Sequence, residues 1–357
     1  MISNLLTILA IATQVVFARG DDGYSTFRIP AIVQAANGDL LAFAEARKDS
    51  GSDTGNIDLV MRRSSDSGAT WGGLQVVWDD AGNTCGNPSP VVDATTGRVI
   101  LVATWNNGRD SERAIRNRTS GDTRRVFVLV SDDDGASWST PREITQDVKQ
   151  PDWTWYATGP CHAIQLRGGQ HRGRIVVPCD HAVFGGGDGS HIIYSDDAGA
   201  SWHLGGTPGV GNESTVCEIG KDRLLLNMRD ARSNKDTTAP WRWVSESRDG
   251  GMTFINTHKD SNLPEPVCQG SLASARNGRR VYFCNPASET TRTNMTLRLS
   301  TNRGKTWKTA VRLPGKHAAY SDLCILPDGR VAVLYESGET TAYDTVVFTV
   351  VTLPESG

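Results

Sequence analysis

Residues 131–138, SDDDGASW, decide the fold of this chain because they return almost letter for letter as SDDAGASW at residues 195–202. With one or two substitutions allowed, the pattern S-x-D-x-G-x-T/S-W occurs five times, and successive copies begin 67, 64, 52 and 53 residues apart. A repeat of that length is one supersecondary unit that recurs around a ring or along a stack. The copies are SSDSGATW at 64–71, SDDDGASW at 131–138, SDDAGASW at 195–202, SRDGGMTF at 247–254 and STNRGKTW at 300–307.

The residues of the repeated motif suit a turn that leaves a strand. Each copy follows a short alternating apolar stretch, such as VFVLVS at 126–131. The Asp or Asn side chain accepts hydrogen bonds from turn N–H groups, and the glycine supplies a positive φ. The closing Trp or Phe buries a large apolar face between sheets. No copy holds a nucleophile beside a base, so we interpret the repeats as the frame of the fold and not as its chemistry.

A second hairpin precedes each copy, for example NPSPVVDATTGRVILVATW at 87–105. A sixth hairpin, at 319–337, has no motif after it and is followed by one last strand, TVVFTVVTL at 345–353. Six hairpin pairs predict an all-β chain that forms a six-bladed β-propeller with four antiparallel strands in each blade. The last blade lacks an outer strand, and TQVVFA at 13–18 is predicted to supply it and close the ring.

The bulk composition agrees with this class. The chain has 357 residues and a net charge of -3, which indicates neither a nucleic-acid partner nor a membrane surface. Its 37 glycines and 10 tryptophans, with frequent NG, DG and TG turn signals, are typical of many short strands. The seven cysteines show no CxxC spacing, so neither a zinc site nor a disulfide framework is predicted, although a Cys161–Cys179 pairing across one hairpin stays open.

The first twelve residues carry an apolar run that ends in Ala10-Ile11-Ala12. This is a small-x-small cleavage signal without the usual positive n-region, so a signal peptide and a simple apolar leader are equally supported. The run is too short to span a bilayer. We therefore expect residues 1–12 to be a signal peptide or leader, residues 13–357 to be one propeller domain, and the protein to be secreted or periplasmic, with the cytoplasm as the alternative.

Charged and polar residues gather at the ends of the predicted inner strands, which meet at one mouth of a propeller channel. Arginines, carboxylates and one tyrosine in a single mouth indicate a bound anion and acid-base chemistry. The residues are Arg28, Glu213, Gln269 and Tyr320 at strand starts, Arg47, Asp180, Arg229 and Glu336 near the returns, and Arg292 shortly after the fifth return.

Five short motifs give this set a specific resemblance. They are TFRIPA around Arg28, E-x-x-V-x-E at 213–218, NMRD at 227–230, ASETTR at 287–292 and AYSDL at 319–323. In this order, together with the five repeats, the chain resembles the sialidase (neuraminidase) family over nearly its whole length. The family implies hydrolysis of sialylated glycans, such as glycoproteins, gangliosides or oligosaccharides.

The resemblance implies a role for each matching residue. Three arginines, Arg28, Arg229 and Arg292, would grip the sialic acid carboxylate, which suits planar guanidinium groups and needs no metal and no cofactor. An anionic nucleophile would repel that carboxylate, and by resemblance the neutral phenol of Tyr320 attacks instead, with Glu213 as its base. Arg47 and Gln269 match positions near the substrate.

The general acid is expected on the loop RKDSGSDTGNID at 47–58, where Asp49 and Asp53 compete. Asp53 matches the family's acid/base aspartate and would first protonate the leaving oxygen and then activate water. Asp58 is expected to be structural. Glu218 lies five residues after Glu213, so on a regular strand it faces the other way and is expected to pair with an arginine.

Three functions compete at this stage. The first is an exo-sialidase that acts with retention of configuration. The second is a trans-sialidase, including an intramolecular one, that uses a sugar hydroxyl in place of water on the same site. The third is a non-catalytic glycan-binding propeller, which predicts a broken catalytic set. Here all six of the matching residues are present, namely Arg28, Asp53, Glu213, Arg229, Arg292 and Tyr320.

Overall fold

The computed structural model describes residues 12–230 and 238–353, and the regular secondary structure of this part of the chain is almost entirely β-strand. The three helical segments are short: a 3-10 turn at Asp21–Gly23, α1 at Glu112–Arg116 and α2 at Thr145–Val148. Among the described residues no helix has the length and apolar character needed to cross a bilayer. The predicted leader lies outside the described residues except for Ala12.

The strands form five antiparallel sheets arranged like the blades of a propeller. The eight-stranded sheet contains β2 (Thr26–Gln34), β3 (Leu40–Arg47), β4 (Ile57–Ser64), β5 (Gln75–Trp78), β6 (Thr84–Val92), β7 (Val99–Asn106), β8 (Arg125–Ser131) and β9 (Arg142–Glu143). Its two halves, β2 to β5 and β6 to β9, are joined by a single parallel bridge between Ile57 and Thr84.

The other four sheets have four or five strands each. The second sheet contains β10 (Trp153–Thr158), β11 (Ile164–Gln165), β12 (Ile175–Val183), β13 (Asp188–Ser195) and β14 (His203–Leu204). The third contains β15 (Ser214–Gly220), β16 (Arg223–Met228), β17 (Trp241–Ser247) and β18 (Ile255–Pro264), and the fourth contains β19 (Ser271–Ser274), β20 (Val281–Pro286), β21 (Met295–Ser300) and β22 (Lys308–Arg312). The fifth contains β1 (Gln14–Ala18), β23 (His317–Ile325), β24 (Val331–Gly338) and β25 (Thr345–Val351).

The N-terminal strand completes the fifth sheet, as the sequence predicts. β1 pairs with β25 antiparallel, with Gln14 opposite Phe348 and Ala18 opposite Thr345. A buried apolar cluster that includes Phe17, Phe27 and Phe348 then joins the fifth sheet to the first half of the eight-stranded sheet. The chain ends therefore meet through both hydrogen bonds and apolar packing.

Each of the five repeats is a turn whose Asp or Asn side chain accepts hydrogen bonds from the same turn, and this prediction is also confirmed. In the second copy Ser131 Oγ donates to Asp133 at 2.7 Å, and the Ser137 N–H and Oγ donate to the same carboxylate at 2.8 and 2.5 Å. These bonds, with that of the Ser137 hydroxyl the strongest, lower the pKa of Asp133 to about 2. The last copy has Asn302 in place of the aspartate. Its Oδ1 accepts from the Ser300 hydroxyl and the Thr306 N–H, and its Nδ2 donates to the Thr306 hydroxyl.

The glycine of each repeat packs against a side chain of a neighbouring sheet or half-sheet. A Cβ on Gly251 would lie 2.2 Å from Ile192 Cδ1, and one on Gly304 would lie 2.4 Å from Leu225 Cδ2. Gly251 has φ of +95°, where a side chain is strained in any case. The repeated turns thus fix how neighbouring sheets pack as well as where each strand ends.

All seven cysteines, which lie within the described residues, are free thiols. Cys161 and Cys179 are fully buried and do not form the disulfide left open above. They act as small apolar core residues, since burial raises the pKa of both thiols.

Candidate active site

Tyr320, Glu213 and Arg229 meet at one end of the channel although 107 residues separate Tyr320 from Glu213. Glu213 directly precedes β15, Arg229 directly follows β16, and Tyr320 lies in β23. The Tyr320 hydroxyl donates to Glu213 Oε1 at 2.5 Å and accepts from Arg229 Nη1 at 3.1 Å. Arg229 Nη1 also lies 2.7 Å from Glu213 Oε2. Two hydrogen bonds and one ion pair thus join the three side chains in a closed triangle.

Arg28 and Arg292 approach the same phenol from the side. The guanidinium carbons of Arg28 and Arg292 lie 5.2 and 5.5 Å from the centre of the Tyr320 ring. Tyr343 joins these two arginines, because Arg28 stacks over its ring at 4.0 Å and Arg292 Nη1 donates to its hydroxyl at 2.9 Å. Three guanidinium groups from three sheets therefore surround one tyrosine, and together they can hold a planar anion.

Glu336 in β24 holds this cluster in position. Arg28 Nε donates to Glu336 Oε1 at 2.7 Å, and the backbone N–H groups of Ile29 and Tyr320 donate to the same carboxylate at 2.9 and 3.0 Å. The carboxylate is completely buried, with no exposed surface. Although burial alone would lower the pKa of Arg28, the charge of Glu336 raises it, so Arg28 stays cationic.

Asp53 lies on the loop between β3 and β4, at the edge of the cluster. Its carboxylate is 2.8 Å from Arg47 Nη1 and 4.0 Å from Arg28 Nη1, and its side chain is 60% exposed. Arg47 is buried and is held by Glu45 at 2.7 Å and by the Gly51 carbonyl at 2.7 Å. An exposed carboxyl group on a loop over a buried arginine has access both to a ligand and to water.

The electrostatics keep the phenol neutral before reaction. Burial raises the pKa of Tyr320 well above its usual value, and the neighbouring Glu213 charge raises it further, while Arg229 and Arg292 oppose both effects. Proton transfer from Tyr320 therefore requires the carboxylate at 2.5 Å as the acceptor. The arrangement can bind an anion with its arginines and attack with a phenol that becomes charged only during the reaction.

The sequence matches the BNR repeat-like domain family over residues 38–333. It is also 30% identical to an exo-alpha-sialidase of Aspergillus fumigatus, in an alignment that covers 88% of this chain and 79% of that protein. The chain belongs to the sialidase family.

Two further comparisons define the extent of the similarity. A sialidase of Micromonospora viridifaciens is 33% identical over 91% of this chain but over only 52% of its own length, so the chain spans about half of that relative. Among solved structures, the Hadza microbial sialidase Hz136 superimposes with a TM-score of 0.85 at 29% identity and covers 96% of this chain and 68% of its own. The match to the sialidase family thus extends over the whole described fold.

In this member of the sialidase family the structure separates the three loop aspartates. Asp53 lines the cleft beside Arg47, whereas Asp49 is exposed and does not line it. Asp58 is buried and accepts from the Tyr24 hydroxyl at 2.6 Å, as expected of a structural residue. Glu218 pairs with Arg167 Nε at 2.7 Å, which confirms the prediction that it faces away from Glu213.

Gln269 does not take the position near the substrate that the family match suggests. Its Nε2 donates to the carbonyls of Pro160 and Ser321 at 2.8 and 2.9 Å, and its Oε1 accepts from the Ser321 N–H at 2.9 Å. The residue is 1% exposed and does not line the cleft. These bonds tie two chain segments together beneath Tyr320, so the geometry favours a structural role for Gln269.

The cleft of this sialidase-family chain contains several residues that the sequence analysis did not assign. Trp155, whose ring lies 4.1 Å below the Arg124 guanidinium, forms one wall, while Trp153 stacks on His181 at 3.6 Å and Tyr156 is buried in the core. The other lining residues include Asp180, which the sequence analysis placed at the mouth, and Asn87, Glu112 and Asn212, which it did not assign. No motif marks Asn87, Glu112 or Asn212, and the sequence does not give the directions of their side chains.

A larger cavity, of about 700 Å³, lies at the opposite mouth of the channel. It is lined by the far ends of the inner strands, including His162, Glu218 and Ser274, and contains none of the predicted site residues. His162, at the point where the sequence reads GPCHA, bonds the buried Asp322 at 2.6 Å. The candidate active site is therefore defined by its charged side chains and not by cavity size.

Proposed function

We propose that this chain is an exo-sialidase that hydrolyses terminal α-linked sialic acids of glycoconjugates with retention of configuration. The observation that carries this proposal is the position of the Tyr320 hydroxyl, 2.5 Å from Glu213 Oε1 and 3.1 Å from Arg229 Nη1. A phenol in contact with both a base and a cation has little use in a purely structural core. It has a direct use as a nucleophile toward a bound anionic sugar.

Substrate binding uses the three arginines. Arg28, Arg229 and Arg292 surround the position where a carboxylate on the anomeric carbon would sit, and guanidinium groups bind a carboxylate in two-point fashion. Glu336 fixes Arg28 and Tyr343 fixes Arg292, so little side-chain freedom is lost on binding. The substrate class is accordingly a sugar acid, such as a terminal sialic acid.

The first chemical step forms a covalent intermediate. As the Tyr320 oxygen bonds to the anomeric carbon, its proton passes to Glu213, the glycosidic C–O bond breaks, and Asp53 gives its proton to the departing oxygen. A tyrosine in place of a carboxylate nucleophile is the known exception among retaining glycosidases, and sialidases make it. A carboxylate here would be repelled by the substrate's own carboxylate.

The second step releases the sugar. Asp53, now ionised, takes a proton from water, whose oxygen attacks the anomeric carbon as the bond to Tyr320 breaks. Glu213 returns its proton to the phenolate. Two inversions at one carbon give net retention, and each catalytic group ends in its starting protonation state.

The test uses Tyr320→Phe with a fluorogenic aryl sialoside. We expect kcat/KM to fall by at least about 10³-fold, since the nucleophile is removed while the fold is kept. In wild type, 2,3-difluorosialic acid should leave a mass adduct on the tryptic peptide that contains Tyr320. Unchanged turnover by Tyr320→Phe would disprove the mechanism, and wild type that binds sialosides but never cleaves them would favour the glycan-binding propeller.

The sugar acceptor decides between hydrolysis and transfer. The same site supports a trans-sialidase, including an intramolecular one, if a hydroxyl replaces water in the second step. We expect time-resolved NMR with α2,3- and α2,6-sialyllactose to detect α-sialic acid first, which then converts to the β anomer. An anhydro sugar or a new sialoside as the first product would move the assignment to transfer.

The proposal extends to the architecture and location of the protein. Six apolar clusters lie between successive groups of strands, and the last joins the fifth sheet to the first half of the eight-stranded sheet. These clusters support counting that sheet as two blades, which gives one domain with six. We also propose that the protein is secreted or periplasmic, to be tested by cell fractionation.

A further inference from the structure

Asp180 is a buried carboxyl group at the wall of the cleft that the proposed reaction does not use. It lies in β12, where its backbone pairs with Ala157 on one side and Ser190 on the other. The residue is 1% exposed, and it lines the same cleft as Glu213 and Tyr320. A carboxyl group so placed is either ionised with a partner or neutral.

Asp180 has no cation as a partner. Within residues 12–230 and 238–353 no basic side chain lies at ion-pair distance from its carboxyl group, and the only hydrogen bond is a long one, 3.3 Å, from Asn212 Nδ2 to Oδ2. The other oxygen, Oδ1, is buried and has no hydrogen-bond partner in the described part of the chain. A buried oxygen without a hydrogen-bond partner lowers the free energy of unfolding. This cost is avoided if the oxygen carries a proton that it can donate, or if a bound ligand forms a hydrogen bond with it.

The surrounding charges favour the neutral form. The charged groups nearest to Asp180 on neighbouring elements are Glu213, Arg229, Asp188, Arg116 and Arg124. Burial, followed by the Glu213 charge, raises the pKa of Asp180 well above its usual value, and Arg229 and Arg116 only partly oppose this shift. Asp188 and Arg116 satisfy each other in an ion pair at 2.6 Å.

The hydrogen-bond directions determine which oxygen carries the proton. The Arg229 guanidinium can only donate, and its Nε donates to Asn212 Oδ1 at 2.9 Å, with Nη2 directed to the same oxygen. Asn212 therefore turns its NH₂ group toward Asp180, so Asp180 Oδ2 is an acceptor. The proton is left on Oδ1, which is buried and has no hydrogen-bond partner in the described part of the chain.

We propose that Asp180 is a neutral carboxylic acid whose Oδ1–H donates a hydrogen bond to an uncharged oxygen of the bound sugar. The acceptor is a hydroxyl of the polyhydroxylated side chain or the carbonyl of an N-acyl group, which share the same acceptor chemistry. This inference rests on the proposed function and identifies one of the groups that select the substrate. A neutral donor also avoids adding a second anion beside Glu213 and the substrate carboxylate.

The first arm of the test compares Asp180→Asn with Asp180→Ala. Asparagine reproduces one acceptor and one donor, so Asp180→Asn should keep kcat/KM within about threefold of wild type, whereas Asp180→Ala should lose about tenfold, mostly through KM. Equal losses in the two variants, or no loss in Asp180→Ala, would overturn the proposal. Thermal melting of both proteins separates these outcomes from a folding defect.

The second arm identifies the acceptor on the sugar. Periodate-shortened sialosides lack the end of the polyhydroxylated side chain, and de-N-acylated sialosides lack the amide carbonyl. On the substrate that lacks the partner oxygen, Asp180→Ala and Asp180→Asn should have equal kcat/KM. On the other truncated substrate, kcat/KM of Asp180→Ala should stay about tenfold below that of Asp180→Asn. A difference that persists unchanged on both truncated substrates would contradict a direct contact.

A spectroscopic arm does not depend on turnover. Wild type minus Asp180→Asn should give an infrared difference band of a protonated carboxyl C=O at neutral pH, and this band should shift when a 2,3-unsaturated sialic acid inhibitor binds. A carboxylate band in its place would refute the neutral acid. If wild type shows this band but cleaves no sialoside, the proposed function fails while the protonation of Asp180 stands.

Discussion

The repeated turns and the candidate active site use similar polar residues in opposite ways. In each repeat the Ser, Asp and Thr or Ser that bond one another lie within seven residues, as Ser247, Asp249 and Thr253 do. In the site Tyr320 bonds a residue 107 positions away, and Arg28 bonds Glu336 across 308 positions. The comparison teaches that local networks build the frame, whereas the chemistry depends on groups that only the closed fold brings together.

The two regions also differ in how completely their polar groups are satisfied. The repeats saturate their carboxylates with bonds from their own turn, so they need nothing else. The site places three arginines around one neutral phenol. Arg28 and Arg229 pair with Glu336 and Glu213, whereas Arg292 lies at ion-pair distance from no carboxylate in the described part of the chain, so its positive charge is in excess. Such a surplus is costly for folding unless a bound anion completes it, and this is the condition for selective binding of a sugar acid.

After Tyr320→Phe, the largest effect is expected at Asp53, the exposed residue of the site that is proposed to act as the acid. Asp53→Asn removes the proton that the leaving oxygen needs, so kcat/KM on sialyllactose should fall about 10²- to 10³-fold. An aryl sialoside with an acidic phenol as leaving group needs no protonation, and its kcat/KM should fall far less. Parallel steady-state kinetics on the two substrates measure the difference.

Asp49→Asn is the matched control on the same loop. It is exposed outside the cleft and should leave both substrates unaffected. A loss of equal size on both substrates in Asp53→Asn would indicate that the loop is deformed, and a selective loss in Asp49→Asn would transfer the acid role to that residue.

The next prediction concerns the free energy of unfolding and uses a substitution in a repeated turn, away from the candidate active site. Gly251→Ala adds a methyl group at φ +95° only 2.2 Å from buried Ile192, so we expect the free energy of unfolding to fall by about 2–4 kcal/mol with kcat/KM unchanged. Gly209→Ala is the control, since its φ of +77° is similar and nothing lies within 4 Å. Chemical denaturation of both variants isolates the packing contribution, and equal losses would show that this contact is unimportant.

The smallest effect concerns a polar network behind the cleft wall. His181 Nδ1 lies 3.0 Å from His191 Nδ1, and His191 Nε2 lies 2.9 Å from the Tyr156 hydroxyl. Burial lowers the pKa of His181 to about 4, and it lowers that of His191 as well. The unfolded chain binds these protons near pH 6.5, so stability should decline as the pH falls from about 6.5 toward 4.

The measurement is the free energy of unfolding across this pH range. We expect wild type to lose on the order of 2 kcal/mol to this network, and His181→Gln to lose less. His258→Gln, on the exposed face of β18, provides the matched substitution. A pH dependence that His181→Gln leaves unchanged would assign the acid sensitivity to other groups.

Much of the frame could be read from the sequence because its signals are local. The five turns, the hairpins before them and the pairing of the N-terminal strand with the last strand all follow from alternation and turn residues. The joining of β4 to β6 through Ile57 and Thr84 could not be foreseen, since one bridge between the two halves of a sheet leaves no periodic signal.

The candidate site was predicted less completely. The residues of the triangle and the two flanking arginines were found because motifs marked them, but Tyr343 has no motif and its role appears only through its contacts with Arg28 and Arg292. Gln269 resembled a substrate position, yet its amide bonds the backbone of Pro160 and Ser321. A strand position does not tell whether a side chain points into the cleft or beneath it.

The sequence by itself determined the all-β class and the repeated turns, and its resemblance to the sialidase family marked the residues expected to hold an anion and attack it. Those features depend on the chemistry of neighbouring residues, which the order of the chain displays directly. Only the tertiary structure decided that Asp53 rather than Asp49 borders the cleft and that Asp180 is buried there without a cation. Burial, partner choice and protonation depend on distances between segments far apart in the chain, and these distances exist only once the sheets have closed around the channel.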